Sequence, residues 1–135
     1  MLHTILCSLF MVVATGSAQT TTLTVEVSGY KNNKGSAYVA VYNTEKDFLK
    51  KPFLGKIVKI ENQKVVVTFT DLPKGVYAVS SYHDENSNGK LDTNFMGIPK
   101  EDYAMSNNAK GFMSAPKYQD AKFQLNESKT IRIKI

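Results

Sequence analysis

Nine consecutive residues near the middle of the chain carry side chains suited to binding a hard metal cation. The stretch from Asp84 to Asp92 reads D-E-N-S-N-G-K-L-D, with oxygen-bearing side chains at positions 1, 3, 5 and 9 and Gly at position 6. EF-hand calcium loops use this spacing, because alternate residues turn oxygens toward the ion and Gly permits the sharp turn. The predicted Ca²⁺ ligands are the side chains of Asp84, Asn86, Asn88 and Asp92 and the backbone carbonyl of Lys90.

The loop lacks the residue that most defines this motif. Position 12 holds Phe95, where the full motif has a bidentate Glu. Glu101 or Asp102 could fold back to supply that carboxylate, since residues 84–102 contain five acidic residues and two lysines. The alternative is an ion-free turn whose Asn and Asp side chains bond to their own backbone. Both interpretations stay open, and the calcium one predicts weak, structural binding of the kind found in extracellular modules.

An alternative interpretation is a hydrolase. His83, Asp84 and the nearby Ser80 and Ser81 are the residue types of a catalytic triad. A catalytic triad needs these groups to converge in space beside an oxyanion hole. The chain has no G-x-S-x-G nucleophile elbow. The acidic residues crowd one polar loop, with no sign of the cleft between two carboxylates that glycoside hydrolysis requires. We therefore predict no catalytic residues and a protein that is not an enzyme.

Short strands must position the acidic loop. Val76 to His83 is predicted to be the most buried strand, and it leads directly into Asp84. The segment from Thr21 to Ser28 alternates strictly, with Leu23, Val25 and Val27 on one face. Further strands are predicted over 36–42, 56–60, 64–70, 121–125 and 129–135, and the polar turn 29–35 predicts a hairpin between the first two strands.

The number and spacing of these strands predict an all-β fold. About seven short strands without βαβ alternation indicate an antiparallel Greek-key β-sandwich, immunoglobulin-like or transthyretin-like. Residues 86–119 show no regular pattern and are predicted to form one long ordered loop, because they are too apolar for disorder. Its large side chains could form a small core beneath the loop, or a surface patch that binds a glycan, peptide or envelope protein. These side chains are Phe95, Met96, Ile98, Tyr103, Met105, Phe112, Met113 and Tyr118.

The first 18 residues are typical of a signal peptide. An apolar run from Leu2 to Ala14 precedes small residues, and Gly16 and Ala18 suit the −3 and −1 sites of signal peptidase. The run is too short for a stable membrane span. We expect residues 19–135 to be a single periplasmic or secreted domain. Cleavage would remove Cys7, so disulfides cannot stabilise this domain and apolar burial must hold the fold.

The charge distribution argues against a nucleic-acid partner. The net charge is +5, but the lysines are scattered and form no basic stripe with interleaved aromatic residues. Residues 84–102 carry a local charge of −3, from the five acidic residues and two lysines counted above. The composition therefore predicts no nucleic-acid binding and favours a small binding or accessory module, with Ca²⁺ as the one cofactor that the sequence suggests.

Two sets of residues resemble known families. The run F-x-D-L-P-x-G-x-Y from Phe69 to Tyr77 is similar to a hairpin of transthyretin-like and carboxypeptidase-regulatory-like modules. The run D-E-N-x-N-G-K-L-D-T-N-F-x-G-I-P-K-E from Asp84 to Glu101 resembles the signature of small exported bacterial β proteins that form a domain of unknown function. The second resemblance implies export and a single β domain, and it implies no activity.

Overall fold

The computed structural model describes residues 19–87, 101–111 and 114–135. Within them the chain forms eight strands and one turn of α-helix. The elements are β1 (Thr20–Ser28), β2 (Ser36–Tyr42), β3 (Leu54–Lys59), β4 (Lys64–Pro73), β5 (Gly75–Asp84), β6 (Tyr103–Met105), α1 (Tyr118–Ala121), β7 (Phe123–Leu125) and β8 (Lys129–Lys134).

The strands form two sheets. A three-stranded sheet has the order β4-β1-β8, and a five-stranded sheet has the order β3-β2-β5, with β6 and β7 both paired to the free side of β5. All pairs are antiparallel except β1 with β8, which run parallel. The all-β sandwich predicted from the sequence is confirmed. The Greek-key connection and the immunoglobulin-like or transthyretin-like type stay predictions.

The predicted hairpin between the first two strands is wrong. β1 pairs with β4 and β8 in one sheet, whereas β2 pairs with β3 and β5 in the other. The connection 29–35 therefore crosses from one sheet to the other at the end of the sandwich. Gly29 and Gly35 have positive φ angles of 88° and 66°, a backbone conformation that glycine adopts at little cost. The turn residues mark a change of direction, and either connection would require them.

Alternating apolar residues build the core between the sheets. Leu23, Val25 and Val27 of β1 are fully buried, as the period-two pattern predicts. Each such side chain contributes roughly 1.5–3 kcal/mol when it leaves water. They pack in one apolar cluster with residues from both sheets, including Val39, Val41, Val67, Phe69, Val79, Leu125 and Ile133.

A second apolar cluster covers the outer face of the five-stranded sheet. Ala40, Tyr42 and Ala78 of the sheet pack there with Phe48, Met105 and Ala121. Phe48 lies in the connection between β2 and β3, near whose start the Thr44 hydroxyl accepts from the Asp47 backbone N–H at 3.2 Å. Because both faces are covered, β5 is buried from Tyr77 to Asp84, in agreement with its prediction as the most buried strand.

No helix among residues 19–87, 101–111 and 114–135 is long and apolar enough to cross a membrane.

Candidate metal site and ligand cleft

The end of β5 distributes acidic side chains to two faces of its sheet. Tyr82 lies opposite Tyr103 in β6, and the His83 N–H donates to the Asp102 carbonyl at 2.8 Å, so the pairing continues one residue beyond β6. Successive residues of a strand point to opposite faces. His83 and Asp102 therefore share the face toward the other sheet, and Asp84 shares the outer face with Tyr82.

His83 is fully buried at the end of the core and is held through one ring nitrogen. Its Nε2 lies 2.6 Å from the backbone carbonyl of Lys34, and its ring meets the ring of Tyr30 edge to face with 5.4 Å between centroids. The Tyr30 hydroxyl forms a hydrogen bond with Ser81 Oγ at 3.0 Å, and burial raises the pKa of Tyr30 to about 12. The other ring nitrogen of His83, Nδ1, is buried without a hydrogen-bond partner.

The close approach of the 29–35 connection depends on Gly35. A Cβ atom at this position would collide with the backbone carbonyl of Asp84, and the φ of 66° is strained for any other residue. Gly35 thus lets the connection lie directly against the end of β5. That contact places the Lys34 carbonyl on the His83 ring.

Beside His83, one lysine lies between two carboxylates. Lys31 Nζ is 2.6 Å from Glu85 Oε1 and 3.4 Å from Asp102 Oδ2. The hydrogen bond from Lys31 lowers the pKa of Glu85, and the same bond, with the charge of Asp102, raises the pKa of Lys31. One ligand atom from each of His83, Glu85 and Asp102 lies within 4.8 Å of the other two. Glu85 and Asp102 therefore form a small anionic cluster, and the ammonium group of Lys31 is the cation that they bind.

On the outer face, two acidic residues act on one buried phenol. Burial raises the pKa of Tyr82 to about 12, and the negative charges of Asp84 and Glu101 add to this rise. Asp84 itself is buried, with 4% of its surface exposed. The first position of the predicted calcium loop and the carboxylate that could replace position 12 therefore both raise the pKa of the same hydroxyl group.

The described part of the predicted calcium loop ends after its fourth position. The Ser87 N–H donates to the Asp84 carbonyl at 3.2 Å and Ser87 has a φ of 52°, so the chain turns back directly after β5. Asp84 and Asn86 begin this turn. The other three predicted ligands, Asn88, Lys90 and Asp92, lie outside the described residues, as does Phe95 at position 12.

A cleft of about 740 Å³ opens where β6 and β8 form the edges of their two sheets. Ligand sites in proteins commonly have volumes of this order. Glu101 and Asp102 form one margin, Lys110 and Lys134 contribute positive charge, and consecutive residues of β6 supply the wall. The full lining is Glu101, Asp102, Tyr103, Ala104, Met105, Asn108, Ala109, Lys110, Gly111, Lys134 and Ile135.

Ser106 attaches the wall of the cleft to β5. Its buried hydroxyl accepts from the Val79 N–H at 2.9 Å and donates to the Ala121 carbonyl at 2.5 Å. Val79 lies between the stretch of β5 that pairs with β6 and the stretch that pairs with β7. The Ser106 side chain therefore satisfies the backbone N–H that neither short strand reaches.

A family model for uncharacterised proteins conserved in bacteria, DUF2141, matches residues 25–133. The chain belongs to the DUF2141 family. The match begins within β1 and ends within β8, so the DUF2141 unit contains most of both sheets, the acidic cluster and all of the cleft lining except Lys134 and Ile135. No curated protein and no solved structure matches the chain.

The residues of the hydrolase alternative do not converge in this DUF2141 protein. The Ser81 hydroxyl is hydrogen-bonded to the Tyr30 hydroxyl, and His83 Nε2 is hydrogen-bonded to the Lys34 carbonyl. Ser80 points to the outer face, where its hydroxyl forms a hydrogen bond with that of Tyr42 at 3.2 Å. Neither serine is placed as a nucleophile activated by His83.

The proposed aromatic patch is not formed by those of its members that the structure describes. Met105 is buried in the outer cluster, and Tyr103 and Tyr118 pack partly buried against that cluster. Phe95, Met96, Ile98, Phe112 and Met113 lie outside the described residues. The described members behave as the predicted small core beneath the loop.

Sequence reasoning missed Lys31 and Ser106. Lys31 is one of two lysines in the polar turn 29–35, and its contact with Glu85 depends on how this connection packs against β5. Ser106 carries no pattern that separates it from any loop serine. The alternation along 76–83 did contain a signal for His83, since it assigns His83 and Ser81 to one buried face.

Proposed function

We propose that this protein is an exported, non-catalytic binding module that takes an extended peptide segment of another protein into the cleft between β6 and β8. The observation that carries the proposal is the cleft itself, which opens at the edges of both sheets and has a volume suited to a ligand. Its lining carries charges of both signs, which suits a polar, zwitterionic ligand such as a peptide.

The register of β6 supports strand addition as the binding mode. The pairing through His83 and Asp102 makes Ala104 the residue whose backbone groups face β5. The backbone N–H and C=O of Tyr103 and Met105 then point away from β5, along the side of β6 that lines the cleft. An edge strand with outward backbone groups is a template on which an extended peptide can pair.

A pair of substitutions at one position tests this mode. Peptides selected from a random display library would be measured by calorimetry against the wild type, Tyr103→Val and Tyr103→Pro. Tyr103→Val removes the ring and keeps the N–H, whereas Tyr103→Pro also removes the outward N–H and leaves the bonds to β5 intact. We expect Tyr103→Pro to weaken binding by at least tenfold more than Tyr103→Val. Equal losses would argue against strand addition.

A glycan ligand is the other outcome of this experiment. Cell-envelope oligosaccharides would be tested on the same three proteins. A glycan that stacks on the ring would lose affinity in Tyr103→Val with no further loss in Tyr103→Pro. That result would replace the peptide by a sugar and keep the cleft as the binding site.

The predicted Ca²⁺ loop has a supporting place in this proposal. The charges of Asp84 and Glu101 both raise the pKa of Tyr82, and Glu101 also lines the cleft, so an ion among the loop ligands would fix that margin. The transition temperature of thermal unfolding should rise in millimolar CaCl₂ relative to EDTA, because a ligand of the folded state stabilises it by mass action. Asp84→Asn should abolish the rise. Equal transition temperatures in wild type would rule out calcium and leave the cleft proposal intact.

A further inference from the structure

The buried imidazole of His83 carries information about its own tautomer. The Lys34 carbonyl that lies 2.6 Å from Nε2 can only accept a hydrogen bond, so Nε2 carries the hydrogen. In the neutral ring Nδ1 is then a bare lone pair, and it is buried with no donor in reach. A buried polar atom left in this state is costly and calls for an explanation. Metal-binding histidines have this arrangement, with the second nitrogen donating to a backbone carbonyl.

The carboxylates of Glu85 and Asp102 supply two further ligand atoms beside the His83 ring, where Nδ1 is the nitrogen that the Lys34 carbonyl leaves available. One ligand atom of each lies within 4.8 Å of a His83 ring nitrogen and of the other carboxylate. Ligands of a tetrahedral zinc ion stand about 3.4 Å apart, given metal–ligand bonds of about 2.1 Å. Both carboxylate side chains are partly exposed, at 37% for Glu85 and 50% for Asp102, so they have room to close this gap.

Lys31 shows that the cluster attracts a cation and that an ammonium ion fits it incompletely. Its Nζ contacts both carboxylates, yet Nδ1 of His83 still lacks a partner. A metal ion would engage all three ligands. Because the Lys31 side chain is 55% exposed, it can swing into solvent and release the carboxylates.

We propose that His83 Nδ1, Glu85 and Asp102 form a binding site for a divalent transition-metal ion of the Zn²⁺ class, from which Lys31 is displaced. One imidazole and two carboxylates suit a borderline cation better than Ca²⁺, which prefers oxygen ligands alone. His83 lies at the end of β5, Glu85 directly follows that strand, and Asp102 immediately precedes β6. The ion would therefore clamp the two ends of the loop between these strands. This site is separate from the Ca²⁺ loop, which uses Asp84 and the residues after it.

Calorimetric titration with Zn²⁺ tests the site in the purified full chain. A His3→Gln, Cys7→Ser background leaves His83 as the single imidazole and removes the single thiol. We expect one Zn²⁺ per chain, with Glu85→Gln weakening binding by about tenfold or more. Lys31→Met should tighten binding by roughly fivefold, the order expected when one like charge close to the ion is removed.

Matched controls separate this competition from general charge effects. Lys34→Met makes the same change in the same connection, at an exposed side chain, and Glu127→Gln removes an exposed carboxylate elsewhere. Neither should change the Zn²⁺ affinity by more than about twofold. In ¹⁵N NMR of the imidazole, Zn²⁺ should move the Nδ1 resonance and leave Nε2 protonated.

Three results would overturn the proposal: no binding at millimolar Zn²⁺, an unchanged Nδ1 resonance on binding, or Lys31→Met binding no tighter than Lys34→Met. Calcium titrations of the same Glu85→Gln variant keep the two metal proposals apart. A Ca²⁺ response that survives in this variant while the Zn²⁺ response is lost would assign the ions to different ligands.

Discussion

The two lateral sides of the sandwich are closed in different ways. On one side the edge strands β3 and β4 approach each other, and Lys56 of β3 crosses to donate to the Thr68 carbonyl of β4 at 2.5 Å. Its ammonium also lies 5.1 Å from the centre of the Phe69 ring. On the other side β6 and β8 also contact each other, and a cleft of about 740 Å³ opens beside them, lined by both strands and by residues of the segment 106–111.

This difference indicates where the fold has room for a function. The more closed side has two strand edges, one lysine that crosses between them and a smaller cleft of about 550 Å³ at the β3–β4 turn. The open side is built from short pieces: β6 and β7, which pair with β5 over three residues each, and the segment 106–111, which side-chain bonds of Ser106 and Asn108 attach to β5 and β8. Binding residues are disproportionately found in such irregular segments on a rigid scaffold. The cleft and the His83 cluster share Asp102, so both proposed sites lie on this open side.

Among the substitutions that test this difference between the two sides, Ser106→Ala should cause the largest loss in the free energy of unfolding. Removing the hydroxyl leaves the buried Val79 N–H and the Ala121 carbonyl without their partner, which should lower the free energy of unfolding by about 2–3 kcal/mol. Urea denaturation followed by circular dichroism measures this loss. Ser128→Ala is the control, since its hydroxyl accepts an exposed bond from the Thr22 N–H and should matter much less. Equal losses would mean that the open side does not depend on this attachment.

A smaller effect is expected at alkaline pH. Burial raises the pKa of Tyr30 from 10.0 to about 12 in the folded protein. Below pH 10 the hydroxyl is neutral in both states and contributes no pH dependence. Between pH 10 and 12 the unfolded chain loses this proton before the folded one does, so the free energy of unfolding should fall as pH rises.

Tyr30→Phe isolates that contribution. The urea concentration at half-unfolding would be measured from pH 9 up to the highest pH at which the protein still folds. It should fall less steeply with increasing pH in Tyr30→Phe than in wild type. The variant should also lose about 1 kcal/mol at neutral pH, because the hydrogen bond to Ser81 is gone. Parallel slopes in the two proteins would contradict the assignment of Tyr30 as a buried, neutral phenol of the open side.

Local patterns in the sequence predicted those parts of the fold that depend on neighbours along the chain. The alternation of Leu23, Val25 and Val27 identified β1 and its buried face, and the run ending at His83 predicted the most buried strand, as β5 is. The hairpin prediction failed because polar residues and glycines permit both a tight turn and a crossing between sheets. Only long-range pairing, such as β1 with the parallel β8, distinguishes the two.

The two proposed metal sites also differ in whether local sequence spacing could predict them. The oxygen spacing that begins at Asp84 is a local pattern and could be recognised as a calcium motif. The cluster of Lys31, Glu85 and Asp102 arises from three separate segments that the register of β5 and β6 brings together. Its chemistry also depends on the tautomer of His83, which the Lys34 carbonyl sets through space. No spacing rule contains that information.

The smallest effect is expected from Lys56→Met on the closed side. Lys56 is exposed, so its bond to Thr68 and its contact with the Phe69 ring are weakened by water, and the loss of unfolding free energy should be below about 1 kcal/mol. Urea denaturation again measures it, with Lys50→Met as a control for removing an exposed lysine. A loss as large as that of Ser106→Ala would mean that one side chain, and not the approach of two strands, closes this side. The contrast between the two sides would then fail, since both would depend on single side-chain bonds.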